Sequence, residues 1–348
     1  MPSFSIGQLD VAINKHYVPK IKDNFFMNRP LFKKLYENKK TFEGGQDIRV
    51  PVRFDEGSNG GAWSGGVGQL NANFVENVTH AVFPICHYYG AMMVPQTYLW
   101  LNRGKAKLTS ILENQSESMV NNLHKTLGLD IHGAGGLNSA NARKIDGLQA
   151  VCTSNADPSY AAFGGITRVG ATPTIWSSAS GSSNQFWNAT VFASNANGTV
   201  TGWKGSETID NLTTISIAKL QQIYGFGCRE DVEPEMIICR QNIYNAIANL
   251  MSTYRRYSND DNTGKMGFKK GLEFNNAQII SDDSANSGEI LALNFKDLQL
   301  YVHDIADFYM TDMREPVNQA TLIKYMFSMM SLTSDRPNTL VRVTGFTG

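Results

Sequence analysis

Between Asp47 and Val94 the chain carries two stretches of strand character separated by a run that cannot pack. Residues 47–54 (DIRVPVRF) alternate polar and apolar side chains, the period of a half-exposed strand. A second strand-like region runs over residues 74–94. Residues 57–68 lie between them, and six of these twelve are glycine. That run is too glycine-rich to form a core and too long for a tight hairpin turn. The pattern predicts a long two-stranded arm with a flexible tip. A lone hairpin is marginal in water, so the arm needs a surface to lie on.

A second element that cannot bury itself precedes it. In residues 1–40, Phe4, Ile6, Leu9 and Ile13 are spaced too irregularly for one helical stripe, and Lys33-Lys34 and Lys39-Lys40 punctuate the end. This segment reads as an arm that rests on something else. After the hairpin, Asn102 can cap a helix starting near Arg103. Leu108, Ile111, Leu112, Met119, Leu123 and Leu127 recur at three- and four-residue steps along one face, and Gly128 or Gly133 can end it. Such a helix is about 28 residues and roughly 40 Å long, unusual for a compact enzyme domain.

Residues 134–211 are rich in Gly, Ala, Ser, Asn and Thr, and residues 171–184 look like an insertion without apolar period. Regular patterns resume near Ser216. Ile217, Leu220 and Ile223 mark a helix stopped by Gly225 and Gly227, and Met236-Ile237-Ile238-Cys239 reads as a buried strand. Tyr244, Ile247, Met251 and Tyr254 lie along another helix. Residues 272–280, 290–293, 298–302, 320–333 and 340–346 read as strands. The class is α+β with helices and strands interleaved irregularly. No internal repeat is visible.

Composition narrows the function. Lysine plus arginine and aspartate plus glutamate both number 31, so there is no global basic field and nucleic-acid binding is not expected to be the main business of the surface, although a protein that merely walls off DNA is compatible with neutrality. Hydrophobic residues make up 42%, enough for a real core. No signal-peptide pattern opens the chain, and no apolar run approaches the roughly 20 residues that span a bilayer. The expectation is a cytosolic product, with Cys86, Cys152, Cys228 and Cys239 scattered and reduced.

Motifs for phosphate binding, serine hydrolysis or zinc binding are absent. His80, Cys86 and His87 could suggest a metal or a thiol–imidazole pair, but polar alternation on a strand accounts for them. Residues 259–264 resemble a calcium loop with glycine sixth, yet Lys270 stands where a bidentate glutamate is needed. Asp282-Asp283 and Glu230, Asp231 and Glu233 read as turns or exposed faces rather than acid/base pairs. Tyr254-Arg255-Arg256-Tyr257 fits a helix end better than a single-strand binding surface. No enzymatic activity, catalytic residue, metal or cofactor is expected.

The order of features resembles a family. Asn28-Arg29-Pro30-Leu31-Phe32, followed by residues 44–51 (GGQDIRVP), is similar to the arm-to-hairpin segment of the major capsid proteins of tailed bacteriophages. Residues 101–108 (LNRGKAKL) resemble the start of their long spine helix. Gly147-Leu148-Gln149 and residues 163–168 (FGGITR) resemble the stretch leading into their axial domain, and Phe186-Trp187 the aromatic pair that follows. No single motif is specific; the similarity lies in their sequence along almost the whole chain.

The resemblance implies a Hong Kong 97-type fold. Its parts would be an N-terminal arm (1–40), an extended loop (41–100), a peripheral domain (101–146 and 315–348) and an axial domain (147–314). It further implies a structural protein that assembles as pentamers and hexamers into an icosahedral head around double-stranded DNA. The site would be the virion, with assembly in the host bacterial cytoplasm and no membrane. A portal would be a partner, with a decoration protein as a further candidate, and the packaged DNA would be held non-specifically. An encapsulin-like nanocompartment shell is the alternative, and nucleic acid inside purified shells separates the two.

Three finer expectations follow from the resemblance. The arm starts almost at Met1, leaving no room for a fused scaffolding segment, so a separate scaffolding protein is expected. No lysine occurs between Thr41 and Gly104, so the loop lacks the amine for an isopeptide cross-link between subunits. The inter-subunit contact residues are expected to be Trp63 and Val67 at the loop tip and Phe4 and Ile6 on the arm.

Overall fold

The computed structural model describes residues 29–54, 77–101, 105–136, 144–153, 162–168, 185–192, 200–201, 214–229, 232–252 and 272–346. In chain order these form α1 (Pro30–Glu37), β1 (Lys40–Phe42), β2 (Asp47–Arg53), β3 (Val78–Pro84), β4 (Cys86–Pro95), α2 (Gln96–Leu101), α3 (Lys105–His132) and α4 (Leu148–Val151). Then come β5 (Ala162–Phe163), β6 (Ile166–Thr167), a 3-10 turn (Gln185–Trp187), β7 (Thr190–Phe192), β8 (Val200–Thr201), α5 (Ile217–Gly227), β9 (Met236–Cys239) and α6 (Gln241–Ser252). The last part holds β10 (Leu272–Phe274), β11 (Ala277–Ser281), β12 (Glu289–Leu293), β13 (Leu298–His303), β14 (Tyr309–Met310), β15 (Thr321–Ser334) and β16 (Val341–Thr344). The class is α+β, as the interleaved periodicities imply.

The long helix is present. α3 runs 28 residues and ends just before Gly133, passing straight through Gly128. Leu112, Met119, Val120, Leu123, Leu127 and Ile131 are buried along one face. That face packs on β4, whose inward set is Tyr88, Gly90, Met92 and Val94. Gly90 permits the approach: a Cβ there would press within 3.1 Å of the Met119 side chain.

Two sheets divide the body. In the first, β15 is central: it pairs antiparallel with β4 along one edge, and with β13 and β14 at different levels of the other. β1 adds parallel to β13. The second has seven strands in the order β10-β11-β9-β12-β16-β7-β8. Its central strands β9 and β12 are buried throughout, which matches the unbroken apolar run read from the sequence. One of their faces, with Met236, Ile238, Leu291 and Leu293, joins the core shared with α3 and the first sheet. The other, with Ile237, Cys239, Ile290 and Ala292, is covered by α5 and α6 through Leu220, Ile223, Ile243 and Ile247.

Several expectations change. Residues 30–40, expected as the end of the arm, are built into the body of the protein. Pro30 opens α1, and Leu31, Phe32 and Leu35 are buried in the protein's own core, while β1 is a sheet strand. Leu31, Phe32 and Leu35 form a short stripe of their own once the helix starts at Pro30, whereas Phe4, Ile6, Leu9 and Ile13 lie outside the described residues. The strand-like region 74–94 is two strands in two different sheets, since β3 pairs β2 while β4 pairs β15. Residues 272–280 are a hairpin rather than one strand, because Asn275 and Asn276 both take positive φ (45° and 70°) and reverse the chain.

Candidate inter-subunit surfaces and the joint between the sheets

The residues expected to make inter-subunit contacts, Trp63, Val67, Phe4 and Ile6, lie outside the described residues. So do Asn102, the proposed insertion 171–184, the calcium-like loop 259–264, Glu230 and Asp231, and the Tyr254–Tyr257 run. What the structure describes is the surface these segments leave and return to.

The hairpin base comes first. β2 and β3 pair from Asp47↔Pro84 to Arg53↔Val78. Their inner face, Ile48, Val50, Val52, Ala81 and Phe83, is buried within the same chain. Phe83 meets Phe163 edge-on at 5.0 Å between ring centroids, and the Val82 N–H donates to the Gly164 carbonyl at 2.8 Å. The base therefore finds its partner surface at home. The outer face carries Val78 and Val82, both exposed.

Under the hairpin sits a buried cation. Arg168 is fully buried and donates to the carbonyls of Ala150 (2.6 Å), Val151 (2.9 Å) and Trp187 (3.1 Å). Its guanidinium lies 5.2 Å from the centre of the Phe163 ring. Trp187 Nε1–H donates to the Phe163 carbonyl at 2.9 Å. Ala150 and Val151 end α4, where carbonyls lack helical partners, so the cation supplies what the helix cannot. Burial pulls the Arg168 guanidinium down to about 9, which leaves it charged at neutral pH. The clamp also holds Arg168 to Trp187, the two sides of the segment 169–184.

A polar joint links α3, α1 and the seven-stranded sheet. Asp282 accepts from the Ser284 N–H (2.8 Å) and faces His132 Nε2 (3.3 Å) and the Arg29 guanidinium (3.7 Å). Arg29 also donates to Ser284 Oγ. Asn286 bridges the His132 carbonyl (3.3 Å) and Glu289 (2.5 Å), and Glu289 accepts from Arg342 at 2.6 Å. Burial pushes the Asp282 carboxyl up, but the hydrogen bond and attraction of His132, the Ser284 N–H and Arg29 outweigh it and hold it below its ordinary value. Burial, with Arg29 nearby, pulls His124 down to about 4. On the other side of α3, Tyr88 donates to Asp130 (3.1 Å) and accepts the Ile145 N–H (3.0 Å), while Lys144 reaches Asp130 at 2.9 Å. Gly147 makes this junction possible, since a Cβ there would collide with the carbonyls of Asp130 and Gly133.

Asp282 is thus a buried anchor, not part of an exposed acidic turn. Glu233 accepts from Tyr224 at 2.8 Å. His80 and His87 are exposed while Cys86 is buried, and burial pushes its thiol up to about 12. Among the described residues no group of His, Cys, Asp and Glu is placed to hold a metal, and no helix is long and apolar enough to cross a membrane.

Sequence reading named Arg29, Arg168 and Asp282 but missed their partnerships, and missed His132 altogether, because nothing in their neighbours marks them as partners. It also missed the outer face of the first sheet. There a signal existed: both alternating sets of β4 are apolar, with Tyr88, Gly90 and Met92 on one and Tyr89, Ala91 and Met93 on the other.

This fold recurs among solved structures. A chain of the Cyanophage A-1(L) capsid asymmetric unit matches with a TM-score of 0.64 over 92% of this chain and 93% of that one, at 14% identity. A chain from the capsid of the native GTA particle matches at 0.57 over 90% of each, at 9% identity. One from Mycobacterium phage Bobi matches at 0.51 over 90% of each, at 11% identity. At such identities the shared property is the fold, over nearly the full length of each chain. No family model and no curated protein matches the sequence.

Proposed function

We propose that this chain is the major capsid protein of a tailed bacteriophage, assembling as pentamers and hexamers into an icosahedral head around double-stranded DNA. The observation that carries this is the near full-length fold likeness to chains of phage and GTA capsids. The hairpin arm and the exposed apolar faces support it, since both suit a subunit completed by its neighbours.

In this reading the peripheral domain comprises α3 with the sheet of β4, β15, β13, β14 and β1. The axial domain comprises the seven-stranded sheet with α5 and α6. Sheet membership would then assign β13 and β14 to the peripheral part and β16 to the axial part, rather than dividing the chain near residue 315. The extended loop springs from β2 and β3, with Trp63 and Val67 as its contacts to the next subunit, and Phe4 and Ile6 as those of the arm. A portal and a separate scaffolding protein are its assembly partners, with a decoration protein as a further candidate, and the virion is its location.

Electron microscopy and sedimentation of the purified protein are expected to show rings or closed shells. A monodisperse 38.4 kDa monomer at the highest soluble concentration overturns the proposal. In a denaturing gel the shells are expected to run at the monomer mass, because the loop lacks a lysine for cross-linking.

A further inference from the structure

The first sheet has an inner face on α3 and an outer face on which nothing among the described residues packs. In β4 and β15, directly paired residues share a face, and burial alternates with the pleat. The outward pairs are His87↔Met329, Tyr89↔Phe327, Ala91↔Tyr325 and Met93↔Ile323. Tyr309 of β14 pairs with Phe327 from the other side, so Tyr89, Phe327 and Tyr309 form one row across three strands. The Tyr325 and Phe327 rings stack at 5.9 Å. Tyr89 is 69%, Tyr309 54% and Met93 53% exposed, and Tyr325 and Phe327 are also open to solvent.

We infer that this face is a docking surface for a second copy of the chain. The inference rests on the shell reading and names one contact surface of it. Two observations select the occupant. Area is the first: large aromatic side chains present roughly 150–250 Å² each. Tyr89, Met93, Tyr309, Tyr325 and Phe327 together therefore expose on the order of 500 Å². That is near the upper end for one apolar patch on a monomer, and well over half of the roughly 800 Å² a stable interface covers on each partner.

Charge is the second. No Lys, Arg, Asp or Glu stands at the outward positions of β4 from His87 to Met93 or of β15 from Ile323 to Met329. Nucleic acid, which needs cations to meet its phosphates, does not fit such a face. Tyr, Met and Phe without charge is the composition of the core of a protein–protein interface. β4 also has a single strand partner among the described residues, which leaves its outer edge beside the patch for further pairing. A protein whose fold is shared with chains of capsids meets its own copies first.

Hydroxyl-radical footprinting read by mass spectrometry tests the inference on the full chain. Tyr89, Met93, Tyr325 and Phe327 are expected to oxidise at least ten-fold more slowly in assembled particles than in dissociated subunits. Buried Met92 and Met330 serve as slow controls in both. The double variant Tyr89→Glu/Phe327→Glu should keep the subunit's melting temperature and raise the concentration needed for assembly at least ten-fold. Equal oxidation in particles and subunits, with assembly of the variant at the wild-type threshold, overturns the inference while leaving the shell reading intact. Protection that requires a different polypeptide overturns it in favour of a decorating partner. A wild-type protein that stays monomeric with this face reactive at every concentration overturns both. If the variant melts early, Tyr89→Ser and footprinting of the wild type alone still decide the question.

Discussion

Arg168→Ala is expected to destabilise the free subunit by on the order of 4 kcal/mol. The substitution leaves the Ala150, Val151 and Trp187 carbonyls without their donor, at about 1–3 kcal/mol for each buried group left unpaired. It also opens a cavity beneath Phe163, with a further cost that depends on how far the site can collapse. For a chain of this size the melting temperature should fall by several degrees, roughly 2 °C per kcal/mol. Arg168→Lys should recover only part of the loss, because a point-like ammonium cannot aim planar donors at three carbonyls. Thermal unfolding of the subunit checks this. Melting of Arg168→Ala within a degree of wild type would show that the clamp is dispensable.

The second large effect depends on pH. Asp282→Asn removes the carboxylate that His132, Arg29 and the Ser284 N–H surround, and should cost about 3 kcal/mol at neutral pH, as expected when one partner of a buried charged pair is lost. The Asp282 carboxyl is held below its ordinary value in the folded chain. Its contribution is therefore complete above the unfolded-state value of about 3.9 and is lost as pH falls through the lower folded-state value. Wild type and Asp282→Asn should accordingly differ most near neutrality and converge below about pH 4. Other carboxylates titrate in the same window, so the gap between the two proteins is the quantity to follow. A gap of the same size at about pH 3 as at pH 7 would mean that Asp282 does not supply this stabilisation.

These two sites mark where sequence reading stopped. Apolar periodicity alone located α3, because Leu112, Met119, Leu123 and Leu127 repeat at helical spacing, and located β9 and β15, because their apolar runs need burial. The resemblance to the capsid proteins of tailed phages rested instead on the order of short motifs, from residues 28–32 and 44–51 through 101–108 to 163–168 and Phe186-Trp187. Local chemistry also foretold the hairpin from the alternation in 47–53, though not that its inner face would be buried on Phe163 and Gly164 of the same chain. Partnerships across distance were beyond it. Arg29 and Asp282 are 253 positions apart, and Arg168 has carbonyls for partners, which every residue carries and no sequence distinguishes. Sheet membership was likewise decided by tertiary structure. β3 and β4 are separated by Ile85 alone yet enter different sheets, and β15 and β16 part in the same way after the turn at Pro337–Thr339. Periodicity says which face of a strand seeks burial, but it does not say which strand lies beside it. That choice falls to the packing of whole layers, here α3 against one sheet and α5 and α6 against the other, and it left the aromatic face of β4 and β15 open to solvent.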